Sequence, residues 1–313
     1  MDKYDVLTMG RVGVDLYPEQ IGVPLAEVRT FAKSLGGSPT NVAVGAARLG
    51  RRSAVITKVG ADGFGEYVRE ALGSFGVDAR FVGTHPSYRT PLVFAEIFPP
   101  DNFPILFYRE PMAPDMTITV GELPRDAIRD ASVFWTTGTG VSAEPSRAVT
   151  IAALETARGT RIHDLDHRSS LWSSGEEARH WAQEAARRAS VVVGNVDEME
   201  MATGVRVPRD AAKVLFGLGA ELVVVKRGMS GVTGISRTEL VEVPAVPVDV
   251  VCGLGAGDAF GAALAHGLLA KWELRRTLTF ANAAGAIVAS RLACADAMPT
   301  NAEIQSLLAT ARA

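Results

Sequence analysis

The chain is predicted to be an α/β protein, a mostly parallel sheet covered by helices, and three observations predict it. Short β-branched or apolar runs alternate with segments of helical period. Two early segments read as amphipathic helices, each closed by a glycine. A late glycine-rich loop opens a long apolar helix. With 313 residues and 47% apolar side chains, the chain has ample material for a core of this kind.

Taken in order, the predicted strands are 6–9, 54–59, 132–136, 161–165, 191–193 and 222–226. Between the first two, a helix over 39–49 places Val42, Ala46 and Leu49 on one face before Gly50. Phe64, Val68, Ala71, Leu72 and Phe75 repeat the pattern before Gly76. Residues 12–35 and 90–110 break the rhythm, because neither holds a helix long enough for a crossover. Within the second, 92–97 and 105–109 read as strands around Pro99-Pro100-Asp101-Asn102. The two segments are expected to form a small antiparallel sheet that closes over a ligand, giving one domain over 1–313 with a β-sheet lid. The sequence has no internal repeat, low-complexity tract or linker.

Composition excludes several classes of function. Thirty-two Lys plus Arg against thirty-five Asp plus Glu give a formal charge of -3, without a basic block to follow a nucleic-acid backbone. Acidic residues at Asp2 and Asp5 stand where a signal peptide needs a basic region, so no export is expected. The longest apolar stretch, 256–270, is broken by Asp258 and His266 and is too short to span a bilayer. Cys252 and Cys294 are neither a disulfide framework nor a metal cluster, and a cytoplasmic location is expected, with Cys252 a small packing residue. His163 and His167 have no partners in sequence for a metal site, and Trp172 reads as core or pocket wall.

The richest stretch is Gly253-Leu254-Gly255-Ala256-Gly257-Asp258 at the head of the late helix. Glycines let backbone amides approach an anion, and the helix start adds partial positive charge, so a phosphoryl group could be stabilised there. Asp258 at such a place can be a helix cap. Capping, however, needs no glycine at three of the five preceding positions, whereas a carboxylate beside phosphate makes sense as a base for an attacking hydroxyl. No Gly-x-x-x-x-Gly-Lys-Ser/Thr occurs, and the loop is too late and wrongly spaced for a dinucleotide fingerprint.

At Gly255-Ala256-Gly257-Asp258 the chain resembles the ribokinase-like, phosphofructokinase-B type carbohydrate kinases, whose signature it matches letter for letter. Gly36-Gly37-Ser38-Pro39-Thr40-Asn41 is similar to the family's early Gly-Gly-x-x-x-Asn motif, and Asn195-Val196-Asp197-Glu198 to its Asn-x-x-Glu. The resemblance implies a three-layer α/β/α fold, ATP as phosphoryl donor and Mg2+ as cofactor. It implies Asp258 as base, the amides of Gly255, Ala256 and Gly257 as anion hole, and Asn195 with Glu198 near Mg2+. Asn195, Lys226, Gly228, Gly231 and Asn282 are implied on the nucleotide side, and Asp15, Gly36, Gly37 and Asn41 as polyol contacts. A homodimer or higher homo-oligomer is expected from the lid. Cys252-Gly253-Leu254 departs from the Asp-Thr-Thr that many members carry there, which motivates an alternative reading as a non-catalytic sugar-acid sensor.

Arginines then indicate an acidic acceptor, since guanidinium groups offer a carboxylate two parallel hydrogen bonds. Tyr108 and Arg109 end a lid strand, and Arg168 lies in Asp164-Leu165-Asp166-His167-Arg168. These segments, with Gly10-Arg11 to Asp15-Leu16, are similar to those of the 5-dehydro-2-deoxygluconate kinases of inositol breakdown. That resemblance implies phosphorylation of a sugar acid at its primary hydroxyl; 2-keto-3-deoxygluconate or a neutral sugar such as fructose or ribose is the alternative substrate.

Overall fold

The computed structural model describes residues 3–310, so Met1 and Asp2 of the acidic amino terminus lie outside the described residues. The chain opens with β1 (Val6–Met9), β2 (Gly13–Pro18), β3 (Phe31–Gly36), α1 (Ser38–Arg48), β4 (Ser53–Gly60), α2 (Gly63–Ser74) and β5 (Val82–His85). Next come β6 (Leu92–Ala95), β7 (Ile105–Tyr108), α3 (Arg125–Asp130), β8 (Val133–Thr137), α4 (Ser146–Thr156), β9 (Thr160–Asp164) and α5 (Gly175–Ala186). Then follow β10 (Val191–Asn195), α6 (Val196–Thr203), α7 (Pro208–Leu218), β11 (Leu222–Lys226), β12 (Val232–Ser236) and β13 (Leu240–Val243). The chain closes with α8 (Ala256–Leu269), α9 (Leu274–Ala289) and α10 (Asn301–Thr310).

Nine strands form the main sheet in the order β13-β12-β11-β10-β9-β8-β1-β4-β5. From β11 to β5 every pairing is parallel, and β12 and β13 extend one edge antiparallel. Parallel strands carry helices on both faces, which is why all four residues of β1 are buried. Their side chains alternate: Val6 packs with Val133, Trp135 and the α1, α8 and α9 cluster, while Leu7 and Met9 pack with Phe134, Val149 and Leu154 on the other face. The two layers of helices therefore follow from the period of two in the strands.

The sequence places β1 and β11 at their observed ends, and the other four predicted strands within two residues. It does not anticipate β5 or the β12–β13 hairpin, four- and five-residue elements with little alternation of their own.

Residues 12–35 and 90–110 build a second sheet in the order β3-β2-β6-β7. The expected antiparallel sheet needs correcting at its centre: β2 pairs with β6 in parallel, while β2–β3 and β6–β7 are antiparallel. The cause is topological. β2 follows β1 and β6 follows β5, two parallel strands of one sheet, so both leave its carboxyl edge in the same direction. Among the described residues no helix is long and apolar enough to cross a membrane.

Candidate active site

A cavity of about 640 Å³ lies where the main sheet, the second sheet and the tip of α8 converge. Arg11, Asp164, Asp166, Asn195 and Lys226 enter it at or just beyond the carboxyl ends of β1, β9, β10 and β11, the usual position of ligands in open α/β sheets. Asp15, Tyr17, Val93, Ala95, Ile105 and Phe107 of the second sheet form the facing wall.

Asp258 is the third residue of α8 and faces the cavity. Ser38 Oγ donates to its Oδ1 at 2.6 Å and Asn41 Nδ2 to its Oδ2 at 2.8 Å. Both donors belong to the first turn of α1, three residues apart and hence on one helix face. Burial raises the Asp258 carboxyl to about 6, although both hydrogen bonds favour its ionised form. Gly255 caps α8 with φ 82°, a left-handed conformation that favours glycine. Gly255, Ala256 and Gly257 all line the cavity beside the carboxylate.

On the main-sheet side, Lys226 Nζ pairs with Asp164 at 3.1 Å. Asp166, held at φ 29°, accepts from Arg11 at 3.2 Å, Arg168 at 3.0 Å and Thr139 Oγ1 at 3.2 Å. Burial opposes ionisation of Asp166, but Arg11, Arg168 and Lys226 outweigh it and hold the carboxyl below its usual value. Glu198 is raised by burial, with Lys226 offsetting only part of it. Asn195 and Glu198 form a reciprocal cap on α6: Asn195 Oδ1 accepts from the Glu198 amide at 2.9 Å, and Glu198 Oε2 from the Asn195 amide at 2.7 Å. Glu198 Oε1 also accepts from the His167 amide at 3.2 Å. The local fold thus explains part of the Asn-x-x-Glu spacing without any ligand.

Hard oxygen donors clustered around a single lysine have the chemistry Mg2+ requires. No group of three or more His, Cys, Asp or Glu among the described residues could hold a metal by itself. The set therefore fits an ion held by one or two carboxylates, water and phosphate.

Gly228, Gly231 and Asn282 line the cavity near Val246, Val248 and Val250, with Asn282 Nδ2 donating to the Pro244 carbonyl at 2.9 Å. On the opposite side stand Asp15, Gly37 and Asn41. Two expected contacts do not reach the cavity directly. Gly36 packs behind Asp15, where a Cβ would lie 2.0 Å from the carboxylate Oδ1. Tyr108 is 59% exposed on the far face of β7 and packs edge-on against Phe94, because alternation along the strand turns Ile105 and Phe107 inward instead. Arg109 lines the cavity but is paired with buried Asp115 at 2.7 Å.

Among the site residues without an assigned role from sequence are Arg11, Ser38, Asp164 and Asp166. For Ser38 a signal existed, its i, i+3 spacing from Asn41. For Arg11 and Asp166 the pairing across 155 positions exists only in the fold.

The pfkB family carbohydrate kinase model matches residues 3–301. A 5-dehydro-2-deoxygluconokinase of Clostridium tetani is 34% identical over 314 residues, covering 97% of this chain and 92% of that protein. One from Geobacillus kaustophilus is 34% identical over 313 residues, covering 97% and 93%. An uncharacterized sugar kinase from Pyrococcus horikoshii, solved in complex with ATP, superimposes with a TM-score of 0.83 at 28% identity, covering 96% of this chain and 99% of that one. With its ribokinase-like layers and a family match along nearly its whole length, the chain belongs to the pfkB family of carbohydrate kinases.

Proposed function

We propose that the chain transfers the γ-phosphoryl group of ATP to the primary hydroxyl of 5-dehydro-2-deoxygluconate, releasing ADP and the 6-phosphate. The observation that carries this reading is a carboxylate, Asp258, held by two donors at a glycine-capped helix start, in one cavity with Arg11, Arg109 and Arg168. Asp258 takes the hydroxyl proton as the oxygen attacks phosphorus, and the bridging oxygen leaves with ADP. Amides at Gly255, Ala256 and Gly257 receive the charge that develops on the transferring group. Bound Mg2+ would neutralise phosphate charge, with Glu198 and its neighbour Asp164 as the supporting carboxylates. Asn195, whose Oδ1 accepts from the Glu198 amide, would support the ion through Glu198 and water.

Arginine chemistry favours an acid over a neutral sugar. Arg11 Nη1 and Arg168 Nε are buried without a protein partner, and an unpaired buried donor is costly. A substrate carboxylate supplies charged acceptors in the paired geometry a guanidinium matches, which a neutral sugar lacks. The two relatives above carry the name of this activity along nearly their full length. The second sheet serves as lid, and the cytoplasm, where ATP is abundant, is the site of action; the two free, buried cysteines suit it. Homo-oligomerisation through the open edges at β3 and β7 belongs to the same reading.

A coupled assay of ADP release with 5-dehydro-2-deoxygluconate, 2-keto-3-deoxygluconate, fructose and ribose tests the proposal. The highest kcat/KM is expected for 5-dehydro-2-deoxygluconate. Turnover confined to the neutral sugars would reject the acid-substrate reading.

A further inference from the structure

Asp166 takes no part in the phosphoryl transfer described above, yet its carboxylate is buried and shared by three donors. Arg11 Nη2, just beyond β1, reaches Oδ2 at 3.2 Å, and Thr139 Oγ1, just beyond β8, reaches the same oxygen at 3.2 Å. Arg168 Nη2 takes Oδ1 at 3.0 Å. The backbone at Asp166 has φ 29°, a positive value that asparagine and aspartate tolerate better than other side chains. Such a conformation persists only where surrounding contacts impose it.

Arg11 bridges the two sheets. Its guanidinium pairs with Asp166 beyond β9 and lies 5.6 Å from the centre of the Phe107 ring in β7. The side chain is 8% exposed, and its Nη1 is buried without a protein partner. Arg168 leaves its Nε in the same state, and both arginines line the cavity. Two guanidinium groups on one carboxylate leave one positive charge over. Lys226 and Arg109, which also line the cavity, are matched by Asp164 and Asp115. A spare charge beside two unfilled buried donors is the complement of a single carboxylate on the acceptor.

We propose that Asp166 is a specificity-determining positioning residue, which clamps Arg11 and Arg168 together so that their free N–H groups meet one substrate carboxylate. The inference rests on the reading of the acceptor as a sugar acid, and adds the residue that makes two arginines from distant segments act as one receptor. Two other roles for the same carboxylate lead to different results. If it only offset the arginine charge it would repel an acid, and its loss would tighten acid binding. If it served the phosphate side, its loss would weaken ATP binding or slow transfer.

Kinetics of D166N, on the acid that the wild-type enzyme turns over, separate the three. Asparagine suits the same backbone and volume but keeps one acceptor oxygen for two arginines. The acceptor KM is expected to rise about ten- to thirty-fold, the effect of losing one hydrogen bond between charged groups, with kcat and the KM for ATP within about three-fold. T139V removes only the neutral donor to Oδ2 and gives a second reading that does not depend on the folding of D166N; its acceptor KM should rise about three-fold. An acceptor KM lowered or unchanged in either variant, or a loss falling on kcat or on the KM for ATP, overturns the proposal. A crystal structure of D166N reads the positioning without substrate. Arg11 or Arg168 is expected to leave its wild-type place, and both unmoved overturns the proposal. Wild-type turnover confined to neutral sugars is a separate result, which rejects the acid acceptor before any variant is made.

Discussion

The two walls of the cavity are built in different ways. At the α8 tip, the groups assigned to phosphoryl transfer come from short contiguous pieces of chain: Gly255 to Asp258, Ser38 with Asn41, and Asn195 with Glu198, each ordered by the first turn of a helix. On the second-sheet wall, Asp15 abuts Gly36 across a strand pair and accepts from Tyr17 Oη, which itself contacts Cys294 from the far end of the chain. Helix starts set the place of each of these side chains within one turn, although Ser38 and Asn41 meet Asp258 across 220 and 217 positions. Strand faces hold theirs only through register and packing. Changes at the α8 tip should thus act on rate and pH dependence, and changes on the second-sheet wall on acceptor binding.

The largest effect is expected at Asp258. Asp258→Asn should lower kcat by about 10³-fold or more while both ligands still bind, measured by coupled assay and calorimetry. Its pH behaviour follows from the raised carboxyl. The base must be ionised, so wild-type kcat should fall about ten-fold per unit as pH drops below about 6, and level off above 7. The same shift bears on stability. A carboxyl raised in the folded state weakens the fold as pH climbs from the unfolded value through about 6, and leaves it unaffected below about 4. Asp258→Asn should then unfold at higher denaturant than wild type at pH 8, by about 1 to 2 kcal/mol, with the gap closing towards pH 4. Retained activity in this variant would remove the distinction between the two walls.

Gly36→Ala comes next. Its new methyl must displace the Asp15 carboxylate, so the acceptor KM should rise by about ten- to a hundred-fold with kcat affected far less. Tyr108→Ala, on the outer face of the same sheet, should change neither constant, which makes it the internal control. An equal loss in kcat for Gly36→Ala would show that the two walls are not separable.

The smallest effect sharpens the comparison. Ser38 favours the ionised form of Asp258, so Ser38→Ala should raise that carboxyl further and move the acid limb of the pH–rate profile up by about 1 unit. Activity would fall visibly at pH 6 and little at pH 8. An unshifted limb would mean that Ser38 does not tune the base.

Much of the site at the α8 tip was legible in the sequence because its geometry is local. A glycine loop with an aspartate in the helix turn that follows it, and an i, i+3 pair, are each set within one helical turn; only the meeting of Ser38 and Asn41 with Asp258 needs the fold. The second-sheet wall was less so. Tyr108 and Arg109 read alike as adjacent residues, but strand alternation turned one to solvent and the other to the cavity, and nothing in the spacing said which face was which. The parallel pairing of β2 with β6 was hidden for the same reason: it depends on where two strands of another sheet end.

By itself, then, the sequence determined the alternation that makes a parallel sheet, the helix starts that gather amides and a carboxylate, and the family to which they belong. Only the tertiary structure decided that Arg11 shares Asp166 with Arg168, that Gly36 presses on Asp15, and that Cys294 sits between Tyr17 of the second sheet and the Gly255 cap of α8. Local hydrogen bonding is written into a few consecutive residues, whereas contacts between segments 150 to 280 positions apart exist only once the whole core has closed around them.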